Sequence, residues 1–103
     1  MSYPYQFHDI AQDEYETSVQ WYLEKSEKAA LGFVNAVDVA LIKIGIYPLR
    51  YRNTYKHFYE IGLNKYPFVI IYSIEGEENK VIIIWRVFHY KRDPRKKYSG
   101  LTG

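Results

Sequence analysis

"PFVIIYSIEGEENKVIIIWRVF", residues 67–88, decides the fold. Its first part, "PFVIIYSI" (67–74), is too apolar for a strand with one wet face. That predicts a central strand covered on both sides. "EGEEN" (75–79) contains glycine and reads as a hairpin connection. Its acids lack the spacing of calcium ligands and read as a solvated turn. "KVIIIWRVF" (80–88) returns as the last strand, again covered on both faces. Strict alternation places Val81, Ile83, Trp85 and Val87 on one face, and Ile82, Ile84, Arg86 and Phe88 on the other.

Upstream, "HFYEIGL" (57–63) puts Tyr59, Ile61 and Leu63 on one face of a further strand. Three consecutive strands with short links predict an antiparallel meander. Before them come two helical patterns. Ile10, Tyr15, Val19, Tyr22 and Leu23 share one side of a helix over about 10–25. Asp9 reads as its N-cap, with Gln12 completing a capping box. Ser26 caps a second helix in which Ala29, Ala30, Phe33, Val37, Ala40, Leu41 and Ile44 recur at spacings of three and four. Its alanines let the two helices approach closely. Gly45 and Pro48 bracket its end. "YPYQFH" (3–8) reads as a first strand, lying along a sheet edge beside the strand of 57–63 or that of 80–88. The expected fold is α+β, in the order β-α-α-β-β-β, with the helix hairpin packed on a small antiparallel sheet. One domain is expected over 1–98, with a tail at 99–103 that frays.

The 103 residues carry a net charge of +2, unevenly placed. Residues 1–48 hold three Lys/Arg against seven Asp/Glu, a balance of −4; residues 49–103 hold eleven against five, a balance of +6. A basic half of this kind suits a polyanion or an acidic protein. The absence of cysteine excludes disulfides, zinc-thiolate sites and thiol nucleophiles, and is compatible with a reducing cytosol. No secretory signal is read at the start, and no apolar run reaches the roughly 18 residues of a membrane helix, so a cytoplasmic place and no membrane partner are expected.

No P-loop, Rossmann glycine fingerprint or G-x-S-x-G is present. Three scattered histidines without cysteine argue against a metal site, and no cofactor is expected. Positive charge instead gathers after the last strand. Lys91, Arg92, Arg95, Lys96 and Lys97 follow His89, with Tyr90 and Tyr98 interleaved. Such a cluster suits a phosphate chain, and rings among the charges suit stacking on unpaired bases. Arg52, Lys56, His57 and Lys65 come from the strand region before it and are expected to line the same surface. Arg86 is the one charge in an apolar strand, so it is either paired, with Glu60 as a candidate, or aimed at a phosphate. His8 reads as a surface or capping residue. His89 beside the cations could move a proton during metal-free RNA cleavage, with Tyr98 or Lys91 as the other acid–base group.

Four segments together resemble the RelE/ParE family of toxins from bacterial toxin–antitoxin modules, over about residues 5–98. They are "WYLEKSEKAALGFVNAV", Pro48 followed by "RYRNTYKHFYEIGL", "NKYPFVIIYSI" and "VIIIWRVFHYKRDP". The resemblance implies a toxin neutralised by a cognate antitoxin protein. RelE-like members cut messenger RNA on the ribosome without metal; ParE-like members act on DNA gyrase. Arg92 with Tyr98 six residues later is similar to the Arg–Tyr ending of ribosome-dependent members. Lys56 and Arg86 fall where that group places basic residues. "FHYKRDP" resembles the plasmid-stabilisation branch instead. The expectation is a type II toxin acting as a ribosome-dependent endoribonuclease. Lys56, Arg86, His89, Arg92 and Tyr98 are the candidate catalytic residues. Arg52, Lys65, Lys91, Arg95, Lys96 and Lys97 are the candidate RNA-binding ones. The alternatives are a non-enzymatic gyrase inhibitor and a degenerate toxin kept as a binding module.

Overall fold

The computed structural model describes residues 2–101. Along them run β1 (Tyr5–Phe7), α1 (Asp9–Lys25), α2 (Glu27–Ile46), β2 (Arg52–Tyr55), β3 (Phe58–Gly62), β4 (Phe68–Glu75), β5 (Val81–His89) and a 3-10 turn at Pro94–Lys96. The strands form one sheet in the order β1-β5-β4-β3-β2. Neighbours are antiparallel, apart from β1, which runs parallel to β5. The α+β class and the helix hairpin on a meander are as the sequence predicts, and β1 takes the β5 edge of the two offered. The strand β2 was not expected. All four of its residues are exposed, so no buried face imprints an apolar alternation on it.

Local chemistry sets the helix ends. The cap of α1 is His8, whose Nδ1 accepts the Ile10 N–H at 3.2 Å. This corrects the Asp9 capping box: Gln12 bonds Glu16 instead, at 2.7 Å. Asp9 lies within the first turn, where its negative charge complements the positive end of the helix dipole. Ser26 serves both helices. Its N–H closes α1 on the Tyr22 carbonyl at 2.8 Å, and its Oγ accepts from Ala29 N–H at 3.2 Å to open α2.

The stripe Ala30, Phe33, Val37, Ala40, Leu41 and Ile44 is the buried face of α2. It packs on Ile61, Phe68, Ile70, Tyr72 and Ile84 of the sheet. Each large side chain buried there contributes roughly 1.5–3 kcal/mol. By length and composition α2 could also cross a membrane, contrary to the expectation that no run is apolar enough. Its few charges explain that composition, and its apolar stripe is core.

A bulge in β5 places the functional side chains. Ile71 pairs with Arg86 but Tyr72 pairs with Ile84, so Trp85 is an extra residue in the ladder. Strict alternation therefore fails beyond it. Val87 joins Ile82 and Ile84 against the helices, while Trp85 and Phe88 pack on the outer face. That outer face carries its own small core of Phe58, Val69, Ile71 and Phe88. The chain beyond β5 folds back over it and lays Tyr98 and Leu101 on top. Ser99 and Leu101 are hydrogen-bonded to the turn before them, their N–H groups reaching the Lys96 and Tyr98 carbonyls, each at 3.1 Å. Thr102 and Gly103 of the expected tail lie outside the described residues.

Candidate functional site

Two carboxylates organise the basic half. Glu14 stands on α1 three residues after buried Ala11, so helical spacing turns it toward β5. The pairing of β1 with β5 ends at Ile84, which leaves the β5 edge open beyond that point. Glu14 closes it by accepting the Val87 N–H at 2.9 Å. The same carboxylate accepts from Arg86 Nε at 3.1 Å and from its terminal nitrogen at 2.7 Å. It also accepts from Arg92 at 2.7 Å. Arg86 is 4% exposed, and its remaining nitrogen donates to the carbonyls of Lys96 and Lys97 at 2.8 and 3.2 Å. Arg86 is thus the tie that holds the C-terminal segment against the sheet. Both guanidinium groups lie over the Phe88 ring, near 5 Å, as cation–π contacts.

Glu60 on β3 is the second centre. It accepts from Lys97 at 3.0 Å, from Thr54 at 2.9 Å and from the Tyr98 hydroxyl. Burial alone would raise the Glu60 carboxyl, but these hydrogen bonds and the Lys97 charge outweigh it and hold the group below its ordinary value. The Tyr98 phenol moves the other way. Burial first, then donation to Glu60, pushes it up to about 12. Its ring packs at a tilt against Tyr55 and Phe58, with centroids 4.5 and 5.9 Å away.

The single cationic groove expected from the sequence is therefore not formed. Arg86, Arg92, Lys97 and Tyr98 do converge, with Arg52 opposite Glu60 on β2. They converge on internal acids. Glu60 is not the partner of Arg86, as alternation had left open; Glu14 is. Arg95 pairs with Asp93 two residues away, at 2.8 Å and in solvent, which lowers the Asp93 carboxyl. Lys91 and Lys96 point into solvent.

Of the other candidates, Lys56 borders the Tyr98 cluster through the Tyr55 ring, while His89 and Lys65 lie elsewhere. Lys56 occupies the β2–β3 turn with φ +50° and reaches over the Tyr55 ring. His89 lies at the far end of the sheet, paired with Phe68. The Tyr59–Tyr72 row and the Phe68–His89 row are separated by four residues of β4, ~13 Å at 3.3 Å per residue, and Lys56 lies beyond the first. His89 packs edge-on against Phe68, and its Nδ1 accepts the Lys91 N–H at 3.0 Å. Lys65, at φ +68°, lines a groove between α2 and the end of β3 on the opposite side. Among the described residues no group of three His, Cys, Asp or Glu side chains is placed to hold a metal ion.

Sequence reasoning missed Glu14. Glu14 is off the apolar stripe of the first helix, and its spacing of three from buried Ala11 was the available signal. It also missed Thr54, because the strand that carries it was unmarked.

The family model described as ParE toxin of type II toxin-antitoxin system, parDE, matches residues 5–94. A solved structure titled "Chromosomal ParDE TA system from P. aeruginosa" aligns with a TM-score of 0.72 at 14% identity, over 87% of this chain and 98% of that one. At that identity the likeness establishes the fold. No curated protein sequence matches.

Proposed function

The chain belongs to the ParE toxin family of type II toxin–antitoxin systems, and from that premise we propose that it poisons cells by binding DNA gyrase and does not cut RNA. As the toxin of a ParDE system it has an antitoxin partner. The observation that carries the finer reading is the neutralisation of the would-be catalytic groups. Metal-free RNA cleavage needs a base for the 2′-hydroxyl, an acid for the leaving oxygen and cations free to meet the developing charge. Here Arg86 is buried and saturated by Glu14 and two carbonyls. Tyr98, raised to about 12 and bonded to Glu60, is a poor base at neutral pH. His89 and Lys56 stand at opposite ends of the sheet. A folded surface that holds its own charges in pairs suits recognition of a protein partner.

The test is expression of the toxin without antitoxin while message integrity and plasmid supercoiling are both recorded. Loss of negative supercoiling with intact messages is the expected result. Rapid cleavage of ribosome-bound messages with normal supercoiling would favour the nuclease reading. Unchanged growth would favour a degenerate binding module.

A further inference from the structure

The C-terminal segment covers only part of the outer face. Beside it, where β1, β5 and the end of β4 meet, lies an open cleft of about 690 Å³. Its wall is aromatic: the His8 imidazole lies against the Trp85 indole with centroids 4.8 Å apart, the two rings tilted by 32°. The indole is fixed in place, since its Nε1–H donates to Ser73 Oγ at 2.7 Å and Phe58 meets it edge-on at 6.1 Å. Ser73, fully buried, in turn donates to Glu75 Oε2 at 2.7 Å. The carboxylate is therefore held beside the indole by a chain of two hydrogen bonds. The His57 imidazole lies nearby, its Nε2 3.8 Å from Oε2 and beyond hydrogen-bond reach. Glu75 Oε1 has no hydrogen-bond partner among the described residues. Asp9 adds a second carboxylate to the rim.

We propose that this cleft is a binding site for a guanidinium group, filled by an arginine side chain of a partner protein. A flat cation that stacks on an indole and forks onto a carboxylate uses every feature of the cleft at once. A guanine base has a similar donor edge, but its phosphate would approach Asp9 and Glu75, with Glu77 and Glu78 in the adjoining turn. Lys80, the nearest lysine in sequence, is directed to the Gly76 carbonyl. Local charge thus favours a cation over a nucleotide.

The experiment uses the full chain carrying Trp21→Phe, which leaves Trp85 as the one tryptophan of the two in the sequence. An acetylated Gly-Arg-Gly amide is titrated while Trp85 emission is followed. A saturable change with a Kd of about 1 mM is expected, ordinary for one side chain. The citrulline peptide, equal in shape but uncharged, binds about tenfold more weakly, as does the arginine peptide to Glu75→Gln. Asp9→Asn, at an exposed position, provides a second variant if Glu75→Gln does not fold. Equal binding of the two peptides, no saturation by about 20 mM, or tighter binding of guanosine monophosphate than of the arginine peptide overturns the proposal.

Discussion

Replacing Glu14 by Gln keeps the shape of the side chain and removes its charge. The carboxylate serves the Val87 N–H, Arg86 and Arg92 at once, and its side chain is only 13% exposed. Gln can still accept from Val87, so the loss falls on the guanidinium groups. Arg92, 46% exposed, returns to water at little cost, about 0–1 kcal/mol. Arg86 cannot, because its side chain is 5% exposed beneath the C-terminal segment. A buried charge stripped of its partner costs about 3–5 kcal/mol. For a domain of this size each kcal/mol moves the melting temperature by roughly 4–8 °C. The Tm should therefore fall by about 12 °C or more, measured by calorimetry or by circular dichroism on the purified toxin. Adding Arg86→Met to Glu14→Gln removes the orphaned charge and should restore at least about half of the loss. A Glu14→Gln protein within about 1 kcal/mol of the parent would show that Arg86 finds water or another partner, and the tie would be wrong.

Other outcomes follow from the same contacts. Tyr98 has its pKa raised on folding, so the folded state favours the protonated phenol. Its contribution is complete below the ordinary value of 10 and fades as pH rises toward about 12. Because the ring is partly exposed, the loss should be about 1–2 kcal/mol, seen as a steeper alkaline fall in stability for the parent than for Tyr98→Phe. Glu60, lowered on folding, contributes above its ordinary value of 4.5 and loses that contribution as pH falls below it, so Glu60→Gln should flatten the acid limb of a pH–stability curve. At Gly32 a methyl group would strike the Tyr66 hydroxyl, which donates to the Ala29 carbonyl at 2.8 Å. Gly32→Ala should cost about 1–3 kcal/mol in denaturant unfolding despite the better helix propensity of alanine. Arg92→Ala should change stability by no more than about 1 kcal/mol and leave growth arrest intact, since its ion pair is half exposed.

The parts of the fold that bury an apolar stripe could be read from the sequence. The α2 pattern from Ala30 to Ile44 and the runs of β4 and β5 each match an element, because burial demands a regular period. What burial does not mark was hidden. The strand β2 is exposed along its length and leaves no periodic trace. The bulge at Trp85 shifts register without a glycine or proline to announce it, so Val87 was assigned to the wrong face. At the site, the residue types were legible and their partners were not. A cluster such as Lys91 to Lys97 looks like a free cationic surface until the acids opposite it are known. Those acids come from 72 to 78 residues earlier in the chain for Arg86 and Arg92, and from 38 residues earlier for Tyr98. Only the tertiary fold brings them across.

With its charges paired internally, the toxin is proposed to bind gyrase and not to cut RNA. The most direct measurement is supercoiling of relaxed plasmid by purified gyrase in the presence of increasing toxin. Plasmid that stays relaxed once toxin matches gyrase, and supercoils again when antitoxin is added, is the predicted result. Full supercoiling at roughly tenfold toxin excess, from a preparation that still cuts ribosome-bound message, would contradict it.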